Sequence, residues 1–516
     1  MNAKERKRMR NSKVGLVLMS ALAAAAGCSF LPSVGPDYER PEFDLPETVV
    51  PDAGMPTTNR TETGEFKAAE GGDDVRRAVT TNDIARWWTR FDDKVLTGLV
   101  DAAVSNNLSF AMAKERLEAS RWELVGSYSA FIPTLSGSGA FNRMERGKDT
   151  STMAGTGRKL HRDSYSAGFD ASWEIDIFGG SRRATEAAWA QADAAWWNVA
   201  DALVSLTSEV GLQYLELRIT QQRLAVARTN LVLQTETYNI LKSRLDSGIG
   251  DELAVSQSKY VVNQTHATIP KLLAQEEKLM NAIAILVGEV PGTLHETLAG
   301  RPDRDWLSEP VKLDRIPLDL VRTRPDVRVA ERRLAAQVAK IGVAKAQWYP
   351  KLYITGSMGL ESIKMDNFIG RGALYGSLGP SISWPIFRGG KIHANIQAEE
   401  ARTREACLSY ELAIERACGE VRDAYAAYTQ EYHRYQALEN AVKAAQDAVT
   451  ISKDLYKNGL KDFTAVIDAQ RSLLTLQETL VISRGSITED AIALYKALGG
   501  GLSDVDGGAM EPVATK

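Results

Sequence analysis

Apolar residues recur along this chain with two distinct periods. In two long stretches the period is seven: Leu203, Val210, Leu217, Leu224, Leu231, Tyr238 and Leu245 in the first, and Ile414, Val421, Tyr428, Tyr435, Val442, Val449 and Tyr456 in the second. A strict seven-residue stripe turns one helix face towards its neighbours and imposes left-handed supercoiling. The companion stripe of the first stretch (Leu206, Gln213, Thr220, Ala227, Gln234, Leu241) is weaker. That pairing suits a helix packed sideways in a wall with another face wet. Ala184 to Arg244 holds no proline and one glycine, Gly211, so the pattern predicts a helix of roughly 90 Å. Ser247-Gly248-Ile249-Gly250 and Asn458-Gly459 then break the chain. Shorter helical stretches follow to about Val287 and Leu498.

The second period is two. Tyr165, Ala167, Phe169, Ala171, Trp173 and Ile175 alternate with Ser166, Gly168, Asp170, Ser172 and Glu174; Leu374, Leu378, Ile382, Trp384 and Ile386 alternate with Tyr375, Ser377, Ser381 and Ser383. Upstream mates run through Leu135–Phe141 and Leu352–Leu360, giving two hairpins and four strands, each about long enough to cross a bilayer when tilted. The segments 143–163 and 362–372 are polar and predict outward-facing connections. Unpaired strand edges in hydrocarbon cost several kcal/mol per group, and four strands are too few to close a barrel, so strands in a membrane here require several copies of the chain. Alternation alone also fits a water-soluble sheet with one wet face.

The two halves are repeats. At an offset of 211, Trp173 falls on Trp384, Val210 on Val421, Tyr214 on Tyr425, Gly248 on Gly459, Asp251 on Asp462, and Gly288 on Gly499. Upstream the offset is 217, with Pro133 on Pro350; the difference lies in a loop, where insertions are tolerated.

Composition changes the picture mainly at the N-terminus. A basic segment precedes the apolar run Val14–Ala26, too short for a spanning helix and suited to a secretory leader over 1–27. The run ends in Ala25-Ala26-Gly27-Cys28, which resembles a bacterial lipobox and makes Cys28 the candidate lipidation site, although Ala25 stands where that pattern prefers Leu. Ser29 after the Cys points, by the same resemblance, to the outer membrane. No later run of 18 apolar residues occurs. The leader, that absence and the doubled hairpins favour a shared barrel. Removing 1–27 takes the net charge from −4 to −9, which offers no footprint for nucleic acid. Cys407 and Cys418 lie about 16 Å apart on one predicted helix, beyond disulfide reach. The Pro-rich stretch from Pro32 to Pro56 and the polar segment to 82 read as an extended or disordered tether. The expected units are thus leader 1–27, anchor and tether 28–82, repeats 83–300 and 301–500, and a disordered tail 501–516.

Several segments together resemble the NodT-type outer-membrane factors of resistance-nodulation-division efflux pumps, in the TolC-like superfamily. They are Val34-Gly35-Pro36-Asp37-Tyr38 with Pro41, Trp87-Trp88 with Phe91 and Asp93, Ser172–Gly179, Arg324-Pro325-Asp326-Val327-Arg328 with Ala330-Glu331, Ile341-Gly342-Val343-Ala344 with Pro350, and Asp468-Ala469-Gln470-Arg471. The resemblance spans about 34–500. It implies a mainly helical fold with a small membrane β part. It also implies a homotrimer whose four strands per protomer close a twelve-stranded barrel in outer-membrane lipid, above a periplasmic α-barrel. Function would be passive export of small molecules, with a periplasmic adaptor and an inner-membrane pump as partners. The family's periplasmic gate aspartate falls on Asp468, with Asp462 a second candidate; Thr464 stands where many members carry Leu. Asp251 and Asp462 also suit helix starts, as do Pro325 and Asp326.

Nothing in the sequence supports catalysis or a cofactor. His161, His266, His295, His393 and His433 show no ligand spacing, and Gly390-Lys391 and Gly370-Arg371-Gly372 fall short of phosphate-binding motifs. A type I secretion or other export duct, and a non-conducting structural outer-membrane lipoprotein, share much of this pattern and stand as alternatives.

Overall fold

The computed structural model describes residues 33–43, 48–50, 84–146, 160–300 and 316–501. The leader, Cys28, and the tail beyond residue 501 lie outside these residues.

The elements run β1 (Thr48–Val50), α1 (Lys94–Asn106), α2 (Leu108–Ser127), β2 (Thr134–Arg146), β3 (Leu160–Ile175), α3 (Gly180–Asp246), α4 (Glu252–Leu286) and α5 (His295–Ala299), then β4 (Ile316–Pro317), α6 (Leu318–Arg322), α7 (Pro325–Ala346), β5 (Lys351–Ser362), β6 (Leu374–Ser383), α8 (Lys391–Lys457) and α9 (Phe463–Ala497). The repeat holds to the residue. Helices α3 and α8 each have 67 residues, about 100 Å, and α4 and α9 each have 35. Gly179 and Gly390, which start the long helices, have φ of 82° and 81°. In that left-handed region a β-carbon is strained, so glycine allows each strand to turn into its helix.

β2-β3-β5-β6 form one antiparallel sheet. The register repeats too. Thr134 pairs with Ser172, and the residues 217 and 211 further on, Lys351 and Ser383, also pair. The first hairpin is longer than alternation predicted, because β2 reaches Arg146 and β3 begins at Leu160. Charge pairing supports the extension: Arg143 Nε and Nη2 donate to the two Asp163 carboxylate oxygens at 2.8 and 2.9 Å.

The long helices pack as a wall. α3 runs against α4, α2, α7 and α9, and α8 runs against α9 and α7. The main core sits at mid-height, where Leu203, Val210, Tyr214 and Leu217 of α3 meet Ile414 and Val421 of α8, Ile492 and Tyr495 of α9, and Trp87. Trp87 is fully buried and stacks on Tyr495 at 6.0 Å. Any side chain on Gly211 would collide with its ring, which accounts for the one glycine between Ala184 and Arg244. Asp93 caps α1 by accepting from Val95 N at 2.7 Å, while its other oxygen accepts from Tyr214 Oη at 2.9 Å.

Towards the tip the weaker stripe of α3 is the more buried of the two. Thr220, Ala227, Gln234 and Leu241 are buried, whereas Leu231, Tyr238 and Leu245 are half-buried. The small Thr220 and Ala227 admit a neighbour on the second stripe.

Candidate functional site: a two-faced sheet and an interlocked tip

The sheet register sorts every strand residue to one face or the other. One face carries Leu135, Phe141, Tyr165, Phe169, Trp173, Ile354, Met358, Leu360, Leu378 and Ile382. Much of it is bare on the isolated chain: Leu378 is 81% exposed, Ile382 73% and Leu135 72%. Leaving that many large apolar side chains in water is costly, and hydrocarbon is the solvent that suits them. From Tyr165 to Ile175 the band extends about 33 Å along a strand, which on a tilted strand matches a bilayer core. The band ends in interfacial groups. Phe141 and Tyr165, 4.9 Å apart, adjoin the Arg143–Asp163 pair at the hairpin end. Phe178 stacks on Tyr349 at 4.6 Å, and Trp384 Nε1 donates to Trp348 O, at the helix end. The opposite face is polar and mostly small. Ser138 donates to Asp170, Ser357 and Ser377 bond at 2.7 Å, and Lys351 bridges to Glu174 at 2.8 Å.

At the helix end of this band residues 33–43 dock on the wall. Val34 N donates to Phe178 O at 3.1 Å. Arg183, nearly buried, donates to Val34 O, Gly35 O and Asp37, the last at 2.6 Å. Tyr38 Oη donates to Glu331 of α7, and Arg40 Nε donates to Tyr410 Oη at 3.2 Å. Burial raises the Tyr38 hydroxyl well above its ordinary value, with Glu331 adding to it. Glu331 is only 2% exposed. Burial pushes its carboxyl up, but Arg332, Arg328 and Arg40 outweigh burial and hold it below the usual range. Four of the motif segments quoted from the sequence, within 34–41, 172–179, 324–331 and 341–350, thus meet at one joint, although nothing in the sequence links them and 33–43 reads there as tether. Arg324 does more than its place before a helix suggests. Beyond starting α7 at Pro325, it donates to Asp326, to Glu420 of α8 at 2.7 Å and to the Ala497 carbonyl that ends α9, bracing three helices.

The far ends of the helical hairpins interlock. Leu241, Ala254, Phe463 and Val466 form a small core. Tyr456 meets Phe463 edge-on at 5.1 Å, with the Arg244 guanidinium 5.8 Å over the Tyr456 ring. Gly248 and Gly459 turn the chain with φ of 76° and 71°. Asp251 caps α4 by accepting from Leu253 N at 3.0 Å, whereas Asp462 stands at the same place on α9, exposed and making no cap bond. Asp468 is exposed as well. It lies two residues, about 200° of helix, past buried Val466 and so on the side turned from the tip core. It continues a polar, exposed line through Thr464, Arg471, Ser472 and Thr475. The matching line on α4 holds Leu253 and Tyr260 instead, so here the two repeats differ in chemistry. The structure brings Asp462 and Asp468 to one tip; Cys28 lies outside the described residues. Among those residues no His, Cys, Asp or Glu cluster could hold a metal, and no helix is long and apolar enough to span a membrane.

The family model described as "Outer membrane efflux protein" matches residues 99–289 and 318–500. The chain belongs to the outer membrane efflux protein family. Its relatives include Nodulation protein T of Rhizobium leguminosarum bv. trifolii, 30% identical over 85% of this chain and 92% of that protein. Another is Outer membrane protein OprJ of Pseudomonas aeruginosa, 30% identical over 83% of this chain and 88% of that one. Among solved structures, the outer-membrane channel OprN superposes with a TM-score of 0.77 at 28% identity, covering 91% of this chain and 99% of that chain. The expected fold class is borne out in its coarse form: an efflux-family chain, mainly helical, with a small antiparallel sheet. The first matched segment holds α3 and α4, and the second holds α8 and α9. The chain is an outer-membrane channel protein extending into the periplasm, as the resemblance implied.

Proposed function

We propose that three copies assemble into a passive export duct, and that this chain supplies no chemistry of its own. The observation carrying this reading is the four-stranded sheet, apolar and bare on one face, polar on the other, with no partner within the described residues for the outer edges of β2 and β6. Such edges cannot face hydrocarbon, and joining β6 of one copy to β2 of the next removes them all. The polar faces then line a water-filled bore. Cys28 carries the lipid that anchors the segment leading to Ser33. At the other end Asp468, and less directly Asp462, ring the tip, where three like charges repel one another and attract cations. A periplasmic adaptor docks around the tip, and an inner-membrane pump supplies cargo and energy. Relatives whose names place them in a solvent or a toluene efflux pump of Pseudomonas putida support these partners.

Single-channel conductance in a planar bilayer tests the duct and its gate together. Small cation-selective currents are expected from the purified protein, with larger and less selective currents from Asp468→Ala. Equal currents from both would remove the gate assignment. No current, even after further substitutions at the tip, would leave a non-conducting scaffold.

A further inference from the structure

On the polar face of the sheet, Gly168 of β3 lies opposite Gly359 of β5, and Gly359 lies opposite Tyr375 of β6. The three residues therefore stand side by side across three strands. A β-carbon on Gly359 would fall 3.1 Å from Tyr375 Cε1, and one on Gly168 would fall 3.0 Å from the Tyr375 hydroxyl oxygen. The ring thus lies flat along the wall, crossing Gly359 and ending over Gly168. Missing side chains on two adjacent strands leave a recess, and the aromatic ring fills it, an arrangement known to rescue glycines in sheets. The pairs flanking this row, Ser166–Glu361 on one side and Asp170–Ser357–Ser377 on the other, put mostly short side chains beside it. Tyr375 is thus the bulkiest group in this stretch of the face, and it is folded away.

We infer that Gly168 and Gly359 form a recess that keeps Tyr375 out of the bore, so that the three residues set the size limit of the duct within its membrane part. The inference rests on the reading that the polar face lines a lumen. Twelve strands spaced about 4.8 Å apart and tilted by about 40° enclose a circle roughly 24 Å across between backbones. Three tyrosines standing inward from that wall would take up much of its open width; three lying flat take little. Glycine serves at these positions because of the neighbouring tyrosine as well as the backbone. At Gly359 an added β-carbon would also lie 2.5 Å from Ala167 O, so that position is closed to any side chain. At Gly168 the nearest atoms, Met358 O and the Tyr375 hydroxyl, are both at 3.0 Å, and the tyrosine is the one free to move.

The test uses full-length protein in the outer membrane of intact cells, with Cys407→Ser and Cys418→Ser and a reporter, Ser381→Cys, deeper on the same face. A small charged methanethiosulfonate and a polyethylene-glycol maleimide are added from outside, and the labelling rate of each is read. Gly168→Ala should slow the large reagent severalfold and leave the small one unchanged. Adding Tyr375→Ala to Gly168→Ala should restore the large-reagent rate. Tyr375→Ala alone should change it little, because the ring already lies out of the way, and this arm needs no glycine variant to fold. An unchanged large-reagent rate in Gly168→Ala, a double variant as slow as the single one, or a severalfold acceleration in Tyr375→Ala alone would each overturn the inference. A parent protein in which even the small reagent fails to reach the cysteine would instead overturn the lumen reading beneath it.

Discussion

A β-carbon on Gly35 would begin 2.5 Å from the Cα of Gly342. The backbone of the N-terminal segment therefore rests directly on the backbone of α7, and each glycine makes room for the other. A β-carbon on Gly342 would in turn lie 2.7 Å from Arg183 Cγ, the side chain that holds Asp37, and 2.8 Å from Val34 O. Gly342→Ala should push residues 33–43 off the wall at a cost of about 1–3 kcal/mol. Limited proteolysis should then cut within 33–43 in the variant and not in the parent; equal resistance would show that the contact has slack.

Glu331 is the buried hub of the same joint, with Arg328 at 3.0 Å and Arg332 at 2.8 Å. Removing one partner of a buried charge network leaves the others uncompensated. Glu331→Ala is expected to cost about 3–5 kcal/mol, read as a lower unfolding midpoint in urea and detergent. A loss within error of zero would mean that water reaches these arginines freely.

The strict repeat predicts the register between copies. Within the chain, Ala171 pairs with Gly356. Carried forward 211 and back 217 residues, that pair becomes Ile382 of one copy opposite Gly139 of the next. Residues directly opposite hold their β-carbons about 4.5–5.5 Å apart. Ile382→Cys with Gly139→Cys should yield a covalent ladder of dimers and trimers under mild oxidation, and Ile382→Cys with Gly137→Cys should not. The reverse pattern would show that the copies join in a different register.

The carboxyl of Asp490 is pushed up to about 6, first by burial and then by Glu431. Glu489 beside it is raised by burial, Glu216 and Asp490. A folded-state pKa above the free value means that the folded chain holds the proton more tightly. The stability this contributes is full below the unfolded pKa of 3.8 and is lost as pH rises through about 6. Asp490→Asn, which cannot ionise, should raise Tm by a few degrees near neutral pH and hardly move it near pH 4. An equal shift at both pH values would point to packing as the cause.

Much of this fold is legible in the sequence because long amphipathic elements write their period plainly. Leu203 to Leu245 marks α3, the glycines at 248 and 459 mark the turns, and the alternation around Phe169 names both sheet faces. What escaped reading was long-range pairing. Arg324 looks like an ordinary residue before a helix until Glu420 and the end of α9 arrive beside it. Residues 33–43 have no period, since their hydrogen bonds go to Phe178, Arg183, Glu331 and Tyr410 and not to one another. The strand ends at Arg143 and Asp163 read as loop because charge there is satisfied across the hairpin, a pairing that hydropathy does not record. At the tip, position alone singles out Asp468; its exposure and its polar neighbours became visible only once the helix was packed.

The matched lengths of the two hairpins, 67 and 35 residues in each, restrict how this protein's reach can change over evolution. One inserted residue turns everything beyond it by about 100° and would rotate the apolar stripe out of the wall. Seven residues restore the facing and add about 10 Å. An insertion in one hairpin alone would leave its tip overshooting the other and pull Phe463 away from Leu241 and Ala254. Spanning a wider periplasm therefore demands coarse, heptad-sized steps, made in four helices of the same gene together.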